Sequence, residues 1–132
     1  MNYSVMIVDD DEFIRLTIRE LFRTAGINVI SAGSADECLN ELEKGFQGVI
    51  LMDIMMPGKD GWDAIRMIQE KDLLRGSIIS MLTARDVPDE KMLGLQEYVT
   101  DYITKPFEGE ALIATVKEYF SYLEHHQKAD KK

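Results

Sequence analysis

The feature that most constrains the fold is a fivefold alternation between short β-branched runs and longer segments with helical periodicity. The short runs are strand-like because they contain four to six residues and are rich in Val and Ile. They lie at Ser4–Val8, Ile27–Ala32, Gly48–Met52, Ser77–Leu82 and Asp101–Thr104. This alternation predicts parallel strands joined by right-handed crossovers, with helices on both faces of one sheet.

Each strand is followed by a segment predicted to be helical. In the first, apolar residues recur at helical spacing, and Gly26 lies where a C-terminal cap belongs. The second has capping-box spacing between Ser34 and Glu37 and ends at Gly45. The remaining three are predicted over about 61–71, from near Pro88, and after Pro106.

The predicted fold class is α/β, a flavodoxin-like three-layer (βα)5 sandwich with a parallel sheet of strand order 2-1-3-4-5. The central runs are continuously apolar, as expected of strands covered on both faces. In such a sheet a site forms at the carboxyl ends of strands 1 and 3. We expect one domain over residues 1–123 and a polar, frayed tail over 124–132.

Charge and composition disfavour several functions. Acidic residues outnumber basic ones by 24 to 15, and the resulting charge of −9 disfavours nucleic acid and anionic membranes as partners. No apolar run reaches the length that crosses a bilayer, and no leader-like segment precedes the first strand. The single cysteine, Cys38, excludes an intramolecular disulfide. We therefore expect a cytoplasmic protein.

Acidic side chains follow two strands that are predicted to be neighbours. The first strand ends in Asp9-Asp10-Asp11 and the third ends in Asp53. Carboxylates held this close repel one another, which raises their proton affinity unless a cation intervenes. Mg²⁺ prefers such hard oxygen ligands. The alternative, that the first three acids only cap the first helix, fits Asp11 best.

A hydroxyl and an ammonium group follow the fourth and fifth predicted strands, at Thr83 and Lys105. Together with the carboxylates they predict a site for a transferring phosphoryl group. The metal and Lys105 would neutralise phosphoryl oxygens, Thr83 would donate a hydrogen bond, and a carboxylate would attack. Taken singly, Thr83 could be a strand-end cap and Lys105 a solvated lysine that is salt-bridged to an acid, so the prediction depends on the combination.

Four segments resemble, in order, the signature segments of CheY-like response-regulator receiver domains. The resemblance covers about residues 4–123 and lies in Val8–Asp10, Met52–Gly58, Leu82–Ala84 and Tyr102–Phe107. It implies that Asp10 and Asp53 bind Mg²⁺, for which Mn²⁺ can substitute. The backbone carbonyl of Met55 would complete the protein ligands. Asp9 would act indirectly, through water or by holding Lys105.

The resemblance also implies a two-component phosphorelay switch rather than an enzyme with an external substrate. A sensor histidine kinase or phosphotransfer protein would donate a phosphoryl group from phosphohistidine to Asp53. Thr83 and Lys105 would hold that group, and the chain would catalyse only its own phosphorylation and dephosphorylation. Thr83 would then move and Tyr102 would turn inward. The surface of the fourth helix, strand 5 and the fifth helix would thereby change for an unknown downstream protein.

Some positions near the site depart from the family or could adjust its behaviour. By the resemblance, Met55 and Arg85 face the phosphoryl site and would tune the lifetime of the phosphoryl group. Family members often carry a Gly-Ala pair where this chain has Tyr98 and Val99, which predicts a longer or reshaped fourth helix. We expect a monomer or a phosphorylation-dependent dimer, acting alone or as part of a longer protein.

Three other functions are compatible with parts of the pattern. A dehalogenase-like phosphatase also uses a strand-end aspartate, but needs a second acid where this chain has Met55. A flavodoxin-like cofactor binder needs a Ser/Thr/Gly-rich loop after strand 1, where this chain has three aspartates. A pseudo-receiver that no longer takes phosphate is disfavoured by the intact set of Asp10, Asp53, Thr83 and Lys105.

Overall fold

A computed structural model describes residues 3–83 and 98–130, with side chains to residue 125. Within these residues five strands form one parallel sheet of order β2-β1-β3-β4-β5, which confirms the predicted fold class and strand order. The strands are β1 (Ser4–Val8), β2 (Val29–Ala32), β3 (Gly48–Asp53), β4 (Ile78–Thr83) and β5 (Asp101–Thr104). The described helices are α1 (Glu12–Thr24), α2 (Ala35–Glu43), α3 (Gly61–Glu70) and α4 (Gly109–Asp130).

The helix α4 corresponds to the fifth predicted helix. The fourth, predicted from near Pro88, lies outside the described residues, as does Arg85. None of the described helices has the length and apolarity needed to cross a membrane.

The sheet is covered on both faces, and β3 at its centre is buried along its whole length. On one face α2 and α3 pack against Met6, Ile50 and Ile79. On the other face α1 and α4 pack against Ile7 and Leu51. Each fully buried Ile or Leu of this kind contributes about 1.5–3 kcal/mol, so these two layers fix the positions of the strand ends.

The helix ends use local hydrogen bonds that the sequence signals in part. Gly26 (φ +76°) follows α1, and its N–H donates to the carbonyl of Arg23. Ser34 caps α2 by accepting from the N–H of Glu37, as predicted. The Glu37 carboxylate, however, accepts from the N–H of Gly33 rather than of Ser34, so the capping box is displaced by one residue.

The C-terminal helix is longer than expected. α4 continues to Asp130, where a frayed tail was predicted from residue 124. No glycine or proline after Gly109 interrupts the helix, which explains the continued helical backbone. The last buried residue described on α4 is Leu123, which is 3% exposed. The domain boundary at residue 123 stays a prediction.

Candidate functional site

The carboxyl ends of β1 and β3 lie side by side and carry the acidic cluster. Val8 pairs in register with Met52, so the residues that follow them, Asp9 and Asp53, leave the sheet at the same edge. Asp9 is 2% exposed and Asp53 is 6% exposed, whereas Asp10 is exposed. One carboxylate oxygen from each of the three lies within 4.8 Å of the others. The structure therefore brings together the three acids that the sequence singled out.

Asp11 has a different role from its neighbours. Its side chain accepts a hydrogen bond of 2.9 Å from the N–H of Phe13 and caps α1. The capping alternative is thus correct for Asp11. The carboxylate of Asp9 instead accepts from the N–H of Asp11 at 2.9 Å, which fixes the turn between β1 and α1.

Lys105 lies between the two buried carboxylates. It follows β5, the edge strand, and its Nζ is 3.2 Å from Asp9 Oδ2 and 3.2 Å from Asp53 Oδ1. Its backbone N–H donates to the carbonyl of Thr83 at 2.7 Å. The ion pair of the alternative interpretation is therefore present, but the ammonium group is directed into the site, with its side chain only 25% exposed.

The pKa values of Asp53 and Lys105 are both raised, for different reasons. Burial, followed by the nearby Asp9 carboxylate, raises the pKa of Asp53, although Lys105 and the N–H of Met55 oppose this. Burial lowers the pKa of Lys105, but the carboxylates of Asp53 and Asp9 raise it by more, so the net direction is upward. Lys105 thus stays positively charged beside a carboxylate whose proton affinity is increased.

Three further residues predicted for the site, Thr83, Met55 and Tyr102, lie on β4, after β3 and on β5. Thr83 is the last residue of β4, one position beyond the pair of Asp53 with Leu82. The backbone N–H of Met55 donates to Asp53 Oδ1 at 3.3 Å, while its side chain is 76% exposed beside the site. Tyr102 lies on β5, in register with Met81 of β4, and is 40% exposed.

Two residues at the site were missed by the sequence analysis. Arg15 Nη1 donates to the backbone carbonyl of Asp9 at 2.7 Å, which ties the end of β1 to α1. Gly61 begins α3 against the end of β3, since an ideal Cβ placed on it would lie 2.6 Å from the Asp53 carbonyl oxygen. For Arg15 the available signal was a cation on the first full turn of the predicted helix. For Gly61 it was a glycine at a predicted helix start.

Comparison with known protein families gives the same fold assignment as the structure. Residues 5–117 match the family model described as the response regulator receiver domain, and the chain therefore belongs to that family. This class of domain acts as the switch of two-component response regulators. Family membership decides against the dehalogenase-like and cofactor-binding alternatives.

Particular relatives support the same assignment. The crystal structure of a CheY-like response regulator receiver domain protein from Methanospirillum hungatei JF-1 is 51% identical, with a TM-score of 0.88; the match covers 92% of this chain and 97% of that one. The chain is 34% identical over 117 residues to the alkaline phosphatase synthesis transcriptional regulatory protein PhoP of Bacillus subtilis (strain 168). That match covers 89% of this chain and 48% of PhoP, so the chain spans about half the length of this curated relative.

Proposed function

We propose that this protein is a phosphorylation switch in which Asp53 accepts a phosphoryl group from the phosphohistidine of a sensor histidine kinase or phosphotransfer protein. The observation that supports this most directly is the position of Lys105 Nζ, 3.2 Å from buried carboxylate oxygens of Asp9 and Asp53. An ammonium group fixed beside the attacking carboxylate can pair with phosphoryl oxygens as they arrive, without reorganising.

In the proposed transfer, a lone pair on an Asp53 carboxylate oxygen forms the new O–P bond as the P–N bond of phosphohistidine breaks. The electrons of the broken bond leave with the donor nitrogen, so a protonated donor ring departs as neutral imidazole. Lys105 pairs with phosphoryl oxygens, and the Thr83 hydroxyl donates a hydrogen bond to one of them. In the dephosphorylation step, water attacks phosphorus, and the electrons of the O–P bond return to the Asp53 oxygen as inorganic phosphate leaves.

The acidic cluster fits a hard divalent cation. Asp9, Asp10 and Asp53 each offer a carboxylate oxygen, and these oxygens lie within 4.8 Å of one another. We assign direct binding to Asp10 and Asp53 with the Met55 carbonyl, and an indirect role to Asp9. When bound, Mg²⁺ (or Mn²⁺ in its place) would supply positive charge against the phosphoryl oxygens.

The proposed output is a change at β5 and its neighbours. A phosphoryl group on Asp53 adds charge and acceptor oxygens beside Thr83, which moves toward it. Tyr102 then turns inward and alters the surface that an unknown downstream protein binds. Met55, largely exposed beside the acceptor, is positioned to affect access of water and hence the phosphoryl lifetime. The corresponding role of Arg85 stays a prediction from the sequence.

Intact mass spectrometry tests the proposal. Wild-type protein is incubated with Mg²⁺ and phosphoramidate, whose P–N bond mimics the donor, and separately with acetyl phosphate. We expect one added phosphoryl group on wild type and none on Asp53→Asn or in a chelated sample. Asp36→Asn is the matched control, because this exposed carboxylate pairs with Lys59 and is not one of the three clustered acids; it should be modified like wild type.

A short-lived adduct would escape mass spectrometry, so beryllofluoride binding is measured in parallel by calorimetry. Binding to wild type and not to Asp53→Asn supports the proposal. The proposal is wrong if neither donor modifies Asp53 and beryllofluoride does not bind, and the pseudo-receiver alternative would then hold.

A further inference from the structure

The one tryptophan of the chain packs against the tyrosine of the proposed switch. The ring centroids of Trp62 and Tyr102 are 6.4 Å apart with their planes at 48°, within the range in which aromatic pairs attract. Trp62 is 2% exposed, whereas Tyr102 is 40% exposed. One ring of the pair is therefore held inside the core, and the other is partly in solvent.

The backbone of Trp62 is tied to the segment that follows the proposed acceptor. Trp62 is the second residue of α3, and the first, Gly61, donates its N–H to the carbonyl of Ile54 at 3.0 Å. Gly61 also approaches the carbonyl oxygen of Asp53 so closely that no Cβ would fit between them. A reciprocal capping box between Asp60 and Asp63 fixes the same helix start. The helix start that carries the indole is thus hydrogen-bonded directly to the segment after Asp53.

Tyr102 reaches this indole across β4. It is in register with Met81, and in-register partners in a parallel sheet project from the same face. Met81 in turn lies beneath the start of α3, with its Cε 3.0 Å from an ideal Cβ on Gly61. Thr83, two residues beyond Met81, shares that face. The tyrosine ring and the switch threonine therefore lie on the side of the sheet that Trp62 covers.

We infer that Trp62 is a positioning residue for Tyr102. It sets how the tyrosine ring is distributed between the observed position, 40% exposed, and a more buried one. The inference rests on the proposed function, because it concerns the regulation of the same site. Close packing leaves the buried indole little room to move, so a change in the ring contact comes from Tyr102. The emission of Trp62 then reports the position of Tyr102 directly.

The first test measures tryptophan emission in the same samples that are analysed by intact mass. With Mg²⁺ present throughout, adding beryllofluoride or acetyl phosphate is expected to change the emission of wild type. Tyr102→Leu, which removes the ring, is expected to become modified on Asp53 but to lose most of that emission change. An equal change in Tyr102→Leu would overturn the inference, because the signal would then come from the acceptor itself.

The second test observes the tyrosine. Protein containing 3-fluorotyrosine is studied by ¹⁹F NMR, with the Tyr102 resonance assigned from Tyr102→Phe among the five tyrosines. In Trp62→Leu we expect the ratio of the two Tyr102 positions to change about two- to tenfold, the range that one aromatic pair provides. Trp62→Phe, which keeps a ring, should restore part of the wild-type ratio.

A purely structural role for Trp62 would lower the melting temperature but leave the Tyr102 ratio unchanged in both variants, and this would overturn the inference. If Trp62→Leu does not fold, the Tyr102 ratio is measured in Trp62→Phe instead; the smaller ring should still change the ratio, and an unchanged ratio would overturn the inference. Modified Asp53 with unchanged wild-type emission overturns the inference alone. Absence of both phosphoryl adduct and beryllofluoride binding overturns the proposed function and the inference with it.

Discussion

The hydroxyl of Tyr119 donates a 2.8 Å hydrogen bond to Asp101 Oδ2 and lies 2.9 Å from Ser80 Oγ, from which it accepts. Ser80 is fully buried on β4, whereas Asp101 is exposed on the edge strand β5. Burial, together with the Asp101 carboxylate, raises the pKa of Tyr119, so the phenol remains a donor at neutral pH. One helix residue thus connects the interior of the sheet to its edge.

Tyr119→Phe is expected to lower the free energy of unfolding by about 1–2 kcal/mol, because it leaves the buried Ser80 hydroxyl without its partner. Urea denaturation measures this loss. Tyr3→Phe is the matched control, since the Tyr3 hydroxyl is buried and has no hydrogen-bond partner among the described residues. That change should be neutral or slightly stabilising, and equal losses in the two variants would contradict the assignment.

Asp53→Asn is expected to stabilise the protein in chelator at neutral pH, because it removes a buried carboxylate whose charged form is disfavoured in the folded state. Burial and then Asp9 raise the pKa of Asp53, so the folded state binds its proton more readily than the unfolded state. Its stabilising contribution is present below the ordinary aspartate pKa of about 3.9 and is lost as pH rises through the raised folded value. The advantage of the variant should therefore grow with pH over that window.

Urea denaturation at several pH values in EDTA checks this dependence, with Asp36→Asn as the exposed-carboxylate control. A stability difference that stays constant with pH, or that shrinks as pH rises, would contradict the prediction. Adding Mg²⁺ should stabilise wild type more than Asp53→Asn, because the variant loses one of the proposed ligands.

Gly61→Ala is expected to destabilise the protein by about 1–3 kcal/mol, because the new Cβ would lie 2.6 Å from the Asp53 carbonyl oxygen and backbone must move. Displacement of the acceptor should also slow phosphorylation about tenfold. Gly109→Ala is the comparison: its Cβ would meet only the end of the Leu21 side chain, at 3.0 Å. Thermal melts and rates of adduct formation should leave Gly109→Ala near wild type, and similar behaviour of both variants would refute the steric argument.

Cys38 is expected to resist thiol reagents in the folded protein. It is fully buried, and this burial, with a smaller effect of Glu41, raises its pKa to about 12. Labelling by a disulfide reagent at neutral pH should be at least about a thousandfold slower than for glutathione, because the thiolate is the reactive form. In denaturant the single thiol should react at an ordinary rate. Rapid stoichiometric labelling without denaturant would show that the core around α2 opens.

The strands were predictable because their apolar runs are short, β-branched and bounded by clear breaks. β1 and β5 match their predicted bounds, β2 and β3 differ by one or two residues at one end, and β4 is shifted by one residue at both ends. The acids, Thr83 and Lys105 were predictable as strand-end residues because parallel topology places all carboxyl ends at one edge. Roles for these residues in phosphoryl transfer stay predictions.

Contacts between distant segments were not predictable in the same way. Nothing local in the sequence indicates that Tyr119 meets Ser80, or that Gly61 must be small, because both facts depend on how a helix lies on the sheet. The capping box of Asp60 and Asp63 was missed although its residue types are favourable at a helix start. Tyr98 and Val99 pack against the core, but the predicted effect on the fourth helix falls outside the described residues.

The ion pair of Lys105 with Asp9 joins residues 96 positions apart in the sequence. Contacts between such distant residues form slowly and late in folding, because closing a long loop costs chain entropy before the contact stabilises the chain. A nascent or truncated chain in which β5 has not yet paired with β4 would hold Asp9 and Asp53 without the ammonium group of Lys105. Under the proposed function, phosphorylation would therefore require a completely folded chain, and a partly synthesised copy of this protein would carry no signal.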